Sequence, residues 1–271
     1  MIYTKFQDIK LSRLGFGLMR LPVKLDNTID EELTKKMVDY AIKNGVNYFD
    51  TAWPYHQGMS EIVIGKILKN YSRDSFYLAS KFPGHQILKE YNPKEVFETQ
   101  LKKCQVEYFD FYLLHNVYER SVDVYNSDKW KIIEYFQEQK RLGRIKHLGF
   151  STHGNVELID KFLEEHPNTF EFVQIQLNYL DYTLQHGKEK YDLITNKYHL
   201  PVWVMEPVRG GKLNKLDETS INELKNLNSN NSLPRWCFKF LLDLDNVGVI
   251  LSGMTAFDHV TDNIETVFKI L

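Results

Sequence analysis

The chain has 271 residues, 43% of them hydrophobic, enough for one large core or two modest ones. Its 34 lysines and arginines nearly balance 36 aspartates and glutamates, which leaves no broad basic field to attract nucleic acid. The N-terminal residues lack a signal-peptide apolar segment and no run approaches the ~18 apolar residues of a membrane span, so a cytoplasmic protein that binds neither membrane nor nucleic acid is expected.

Short apolar runs alternate with longer stretches of helical period. Tyr3 to Leu11 reads as a small hairpin capping a barrel floor, and Leu14 to Leu18 as a first strand. Asp30 to Lys43 reads as a helix with Leu33, Met37, Tyr40 and Ala41 on one face, closed by Asn44-Gly45. A strand at Val46 to Asp50 and a helix from about Ser60 to Leu68 follow, then a strand at Phe76 to Lys81. Asn92-Pro93-Lys94-Glu95 supplies a cap, a helix-opening proline and a glutamate placed for a capping box. The alternation continues with strands at Phe109 to Leu114, Ile145 to Phe150, Phe172 to Leu177 and Val202 to Met205. Helices are expected at Asp128 to Arg141, Val156 to Glu165 and Lys188 to Lys197. Asn214 to Ser232 is polar and asparagine-rich, a surface loop with a short helix around Ile221 to Leu227. Leu233 to Leu242 is helical, Val247 to Leu251 is the eighth strand, and His259 to Ile270 is its helix.

Eight strand–helix pairs predict an α/β protein of (β/α)8 TIM-barrel architecture, with residues 1–271 as a single domain. A doubly wound dinucleotide fold would need a third glycine after Gly15 and Gly17, and none stands at the required offset. Cys104 and Cys237 are far apart and each lacks a cysteine neighbour. They read as two buried thiols rather than as a disulfide or a metal site, and no metal is expected.

Four ionisable residues sit at the ends of successive strand-like runs: Asp50 and Tyr55, Lys81, and His115. In a parallel barrel those ends converge on one mouth. A phenol ordinarily loses its proton near pH ~10, and an ammonium within hydrogen-bond reach is expected to lower that value. Tyr55 then serves as general acid toward a carbonyl oxygen, with Asp50 keeping Lys81 charged and His115 donating to the same oxygen. Singly, each residue has a structural explanation, and Tyr55 is one of 16 tyrosines. Their placement on consecutive strand ends is what favours chemistry.

These residues carry a resemblance. Phe49-Asp50-Thr51-Ala52 with Tyr55, then Ser80-Lys81, then Leu113-Leu114-His115-Asn116 resemble the aldo-keto reductase superfamily. Leu14 to Pro22, Gly143 to Ser151 and Gln174 to Tyr179 resemble further segments of it. So do Glu206-Pro207-Val208-Arg209-Gly210-Gly211-Lys212-Leu213 and Ser252-Gly253-Met254, similar to the phosphate-binding loops of a subgroup. The resemblance implies reduction of aldehydes and ketones by NADPH, with NADH as the second candidate, and Tyr55, Lys81, Asp50 and His115 as the catalytic tetrad. It places Ser151 and Gln174 at the nicotinamide carboxamide and counts Thr152 among the cofactor-binding residues. The backbone around Pro207, Val208, Arg209 and Gly211 would wrap the pyrophosphate; Glu206, Lys212, Ser252, Gly253 and Met254 belong to the same cofactor loops, His259 falls with Ser252 near the adenosine 2′-position, and Asp262 and Asn263 are candidates for adenine contact.

Three departures accompany it. Thr152 follows the amide-binding serine where many members have asparagine, Glu206 stands where many stack an aromatic, and Ser252 and His259 replace the cations that grip a 2′-phosphate. The subgroup's C-terminal cysteine-rich extension does not follow Leu271, and a short tail predicts an open pocket of broad tolerance. Trp53 and Asn116, with His56, Pro83 and Tyr118, are expected to rim a pocket for small carbonyl compounds, and a monomer is expected. Two other functions fit the same residues: a nicotinamide-binding regulatory subunit with only slow reductase activity, and a Schiff-base lyase using Lys81.

Overall fold

In the computed structural model, which describes residues 1–86, 88–229 and 231–268, strand alternation decides which side chains reach the centre. An antiparallel hairpin comes first, β1 (Tyr3–Phe6) and β2 (Ile9–Ser12), turned through Gln7 at φ +50°. Eight parallel strands then close into a barrel: β3 (Leu14–Gly17), β4 (Tyr48–Asp50), β5 (Tyr77–Phe82), β6 (Phe109–Leu114), β7 (Ile145–Thr152), β8 (Val173–Gln176), β9 (Val202–Met205) and β10 (Val247–Gly253). Each pairs with its successor and β10 returns to β3, aligning Ser252 with Phe16. Around it lie α1 (Glu31–Lys43), α2 (Met59–Leu68), α3 (Pro93–Cys104), α4 (Val122–Tyr125), α5 (Ile132–Arg141) and α6 (Val156–Glu165). The second half adds α7 (Asp181–Leu184), α8 (Gly187–Asp192), α9 (Glu218–Leu227), α10 (Leu233–Leu242) and α11 (Phe257–Phe268).

Successive residues of a strand face opposite sides. Phe49, Leu78, Tyr112, Phe150, Val204 and Ile250 point outward into the helix layer. Their neighbours Tyr48, Ala79, Phe111, Leu113, Trp203 and Val249 fill the interior. Phe6 and Leu11 of the hairpin join that inner cluster, with the Phe6 ring 5.2 Å from Trp203 and 5.7 Å from Phe111. The hairpin therefore plugs one end, as expected, and leaves the strand C-termini as the open end. Cys104 and Cys237 are buried free thiols.

Local signals worked where they had a mechanism. Asp30 accepts the Leu33 amide at 2.9 Å to start α1, and Gly45 at φ +88° ends it. Asn92 caps α3 by accepting the Glu95 amide at 3.1 Å; Glu95 answers the Asn92 side chain at 3.2 Å instead of closing a capping box onto backbone.

Other boundaries moved. The helix expected from Asp128 starts at Ile132, because Trp130 and Lys131 both donate to the Ser127 carbonyl in a turn and Lys131 sits at φ +45°. The helix expected at Lys188 to Lys197 is α8 followed by a π turn over Leu193–Lys197. α9 is three residues longer at its start than expected because Asp217 caps it through the Ser220 amide. The expected end of the last helix at Ile270 lies outside the described residues.

Candidate active site

Alternation selects the residues at the barrel mouth. Asp50 lies two beyond inward Tyr48, Lys81 two beyond inward Ala79, and His115 two beyond inward Leu113. Tyr55 arrives from a turn after β4, in which His56 and Gln57 adopt left-handed φ values of 49° and 56°. That turn is pinned because His56 Nε2 accepts the Leu21 amide at 2.9 Å. His56 is thus a fastener between two loops as well as part of the cavity wall.

Lys81 is fully buried. Its Nζ donates to Asp50 Oδ1, to the Thr51 carbonyl at 2.8 Å and to the Tyr55 hydroxyl at 3.4 Å. Three acceptors match the three N–H bonds of an ammonium, whereas a neutral amine has only two. Burial acts to lower the Lys81 pKa, but Asp50 and Tyr55 outweigh it and the net shift is upward. The ion pair is therefore the state consistent with the contacts.

For Tyr55 the expected sign does not hold. Burial pushes the phenol above its ordinary value, and Lys81 pulls it back only in part. The hydroxyl therefore keeps its proton at neutral pH, 3.4 Å from a cation able to stabilise a phenolate. Burial, and then the Lys81 charge, hold His115 well below the usual histidine range. Its neutral ring meets Tyr55 edge-on at 5.7 Å between centroids. A carbonyl oxygen between them would find one acid and one neutral donor.

A buried polar network behind the strand ends keeps this arrangement in place. Gln100 Nε2 donates to the Lys81 carbonyl at 3.0 Å and to Glu61 Oε1 at 2.6 Å, and Ser80 Oγ donates to the same carboxylate at 2.7 Å. Nothing in the local sequence marked Glu61, because its neighbours Ile64 and Leu68 make that segment read as a plain amphipathic helix.

The mouth opens into a cavity of about 780 Å³, toward the upper end of the usual size of a small-molecule site. Asp50, Tyr55, His115, Asn116, Ser151 and Gln174 line one part of it. Ser151 Oγ accepts the Asn116 amide at 2.9 Å. Gln174 Oε1 is buried with no hydrogen-bond partner among the described residues, while its Nε2 lies 3.6 Å from Met205 Sδ. Glu206, Pro207, Val208 and Gly211 form another wall. Their loop is anchored from outside: Asn178 donates to the Glu206 carbonyl at 3.1 Å, and Arg209 pairs with buried Asp181 at 3.2 Å. Gly211, at φ +90°, has nothing within 4 Å of where a Cβ would stand, leaving bare backbone for a close-lying ligand. Ser252, Gly253, His259, Asp262 and Asn263 complete the far end, where Asn263 donates to Ser252 Oγ at 2.9 Å. An elongated ligand with a carboxamide at one end and a phosphate-bearing middle fits these features.

Several expected contacts lie elsewhere. Trp53 packs beneath Lys103, whose Nζ is 4.1 Å from the ring centroid, and is not part of the cavity wall. Thr152 turns away to donate to the Val117 carbonyl at 2.6 Å. Arg209 is held by Asp181, Lys212 points to solvent, and Met254 is fully buried beneath the wall. Other wall residues went unsuspected. Arg20 lies across the mouth, its guanidinium 3.2 Å from where a Gly210 Cβ would be and its stem against Gly253. His85, four residues past Lys81, packs its ring 4.3 Å from His115.

The model of the Aldo/keto reductase family matches residues 13–270. "Probable aldo-keto reductase 1" of Glycine max is 34% identical over 158 residues, 54% of this chain and 42% of that protein. The "NADH-specific methylglyoxal reductase" of Escherichia coli is 23% identical over 197 residues, 66% of this chain and 59% of that protein. The chain thus spans less than two thirds of the length of either relative. The solved structure of aldo-keto reductase AKR11C1 from Bacillus halodurans in its holo form superposes with a TM-score of 0.77 at 26% identity, covering 99% of this chain and 91% of that one.

Proposed function

From the premise that the chain belongs to the Aldo/keto reductase family, we propose that it reduces aldehydes and ketones to alcohols with NADPH or NADH. One observation carries this reading: the Tyr55 hydroxyl, with Lys81 Nζ at 3.4 Å and a neutral His115 beside it, opens onto a cavity walled by the Ser151 and Gln174 pair and the Gly210-Gly211 loop. The reduced nicotinamide ring, when bound, supplies the hydride. Ser151 and Gln174 would hold its carboxamide, whose amide would give the Gln174 oxygen a donor. Pro207, Val208, Gly210, Gly211 and Arg20, which line the cavity, would face the pyrophosphate. Tyr55 gives its proton to the carbonyl oxygen, His115 holds that oxygen in place, and Lys81 with Asp50 steadies the phenolate that results.

Among the described residues that line the adenosine end of the cavity, none is a lysine or arginine able to grip a 2′-phosphate. Arg235, on the nearby α10, is engaged by Asp262 at 3.0 Å and Glu265 at 2.7 Å, while Ser232 takes the other Asp262 oxygen at 2.6 Å. His259 accepts the Thr255 amide through Nδ1 at 3.3 Å. Fluorescence titration with the two nucleotides separately should therefore show both binding, with dissociation constants within about tenfold of each other, roughly one ordinary hydrogen bond's worth of discrimination. Binding of neither nucleotide would sink the reductase reading. A preference for NADPH beyond a hundredfold would show that a grip for the 2′-phosphate exists and would overturn this reading of the adenosine end.

A further inference from the structure

Resting on the reductase reading, we infer that Glu206 makes the barrel mouth hold the oxidised nucleotide more tightly than the reduced one, and so draws hydride transfer on the protein toward the alcohol. Glu206 is placed by a specific local device. It follows β9 directly, at φ +54°, a left-handed conformation that residues other than glycine seldom adopt. Two donors hold its carbonyl, Asn178 Nδ2 at 3.1 Å and the Arg209 amide at 2.9 Å. Asn178 is buried and also donates to Asp181 at 2.7 Å, and Asp181 pairs with the Arg209 side chain, so one connected network clamps the turn. The backbone is set by the protein alone, and the carboxylate-bearing residue stands on the cavity wall.

That part of the wall adjoins the proposed carboxamide pocket. Met205, one residue earlier, pairs in register with Gln176, and its Sδ lies 3.6 Å from Gln174 Nε2. Gln174 in turn pairs with Ser151. His153, two residues beyond Ser151, feels the carboxylate: loss of water around the ring lowers its pKa, and the Glu206 charge works against that. The His153 ring is neutral at neutral pH and cancels no charge. Lys190 also acts on His153, but it is not on the cavity wall and is itself countered by Glu119 and Asp181. The other charged wall residues are engaged or distant. Asp50 is held by Lys81 and Asp262 by Arg235, Asp258 lies at the start of α11, and Arg20 sits against Gly210 and Gly253. Among the described wall residues, Glu206 is thus the unpaired charge at the nicotinamide end. Reduction of a carbonyl moves two electrons and one hydrogen from the dihydropyridine ring to carbon and one proton from Tyr55 to oxygen. A neutral ring becomes a pyridinium cation, and Glu206 favours that charge. The overall equilibrium in solution is untouched; the balance on the protein moves. For unit charges several ångströms apart in a solvent-open cleft, the effect is about fivefold in a dissociation constant.

The test measures dissociation constants by calorimetric titration for NADH and NAD+, and for NADPH and NADP+, in the unsubstituted chain, Glu206→Gln and Glu206→Asp. The members of each pair differ in the charge of the nicotinamide ring, so the ratio of their constants isolates what the protein does to that charge. Glutamine has nearly the shape of glutamate, and the hydrogen bonds that set the turn go to the backbone carbonyl, so the fold is retained. In Glu206→Gln the oxidised form should bind about fivefold more weakly, while the reduced form changes by less than about twofold. Glu206→Asp, which keeps the charge, should keep most of the original ratio. Equal weakening of both forms would mean that Glu206 only shapes the loop, and an unchanged ratio would mean that its charge does not reach the ring; either overturns the inference. If the unsubstituted chain reduces 4-nitrobenzaldehyde while the ratio stays fixed across these proteins, only this inference falls. If the unsubstituted chain binds no nucleotide, the reductase reading falls and takes this inference with it.

Discussion

Tyr55→Phe should abolish reduction of 4-nitrobenzaldehyde, lowering kcat by about a thousandfold or more, while NADPH and NADH bind within about twofold of their original affinity. The hydroxyl is the only atom removed, and the ring that packs edge-on against His115 remains. The unsubstituted chain should also show a one-sided pH profile. A general acid works when protonated, and burial raises the Tyr55 pKa, so kcat/KM for reduction should stay level through neutrality and fall only on the alkaline side of the ordinary phenol range. His115 adds no acid limb near pH ~6.5, because its pKa is held far below that value. A variant that turns over at the original speed, or a profile that falls between about pH 6 and 8, would assign the proton to another group.

Lys81→Met should be nearly as severe for a different reason. It removes the cation proposed to stabilise the phenolate and leaves Asp50, whose Oδ2 already lacks a partner among the described residues, without its ion-pair partner. Rate should drop by about a hundredfold to ten-thousandfold, and stability by about 3–5 kcal/mol, as for other broken buried pairs. Adding Asp50→Asn should restore much of the stability, read by urea unfolding, because an amide is cheaper to bury than a lone charge. It should not restore the rate. If the double variant recovers activity along with stability, the pair is structural and the ammonium has no part in the chemistry.

Much of this site could be read from the chain because strand alternation carries geometry. Once Tyr48, Ala79 and Leu113 are inward, Asp50, Lys81 and His115 must be as well, whatever the loops do. Loop residues have no such rule. Trp53 and Tyr55 are two apart on one turn, yet Tyr55 faces the cavity and Trp53 packs beneath Lys103. The left-handed turn at His56 and Gln57 that follows them shows in no periodicity. Thr152 and Met254 matched cofactor segments by position but turn their side chains into the protein, since neighbouring Ser151 and Gly253 already occupy the open side. The sign of the Tyr55 shift went astray for a related reason: the lysine was visible in the sequence, but the depth of burial that outweighs it was not. His85 escaped because its placement depends on Gly84 docking on Tyr125, a contact across forty residues of chain.

The most direct measurement is label transfer. With nicotinamide nucleotide deuterated at C4 and 4-nitrobenzaldehyde as acceptor, mass spectrometry of the alcohol should show one deuterium on the carbinol carbon, in step with nucleotide oxidation. The same experiment with Tyr55→Phe should give neither alcohol nor oxidation despite bound nucleotide. Alcohol formed without the label, or no alcohol from a chain that demonstrably holds the nucleotide, would contradict the assignment of this barrel mouth as a carbonyl-reducing site.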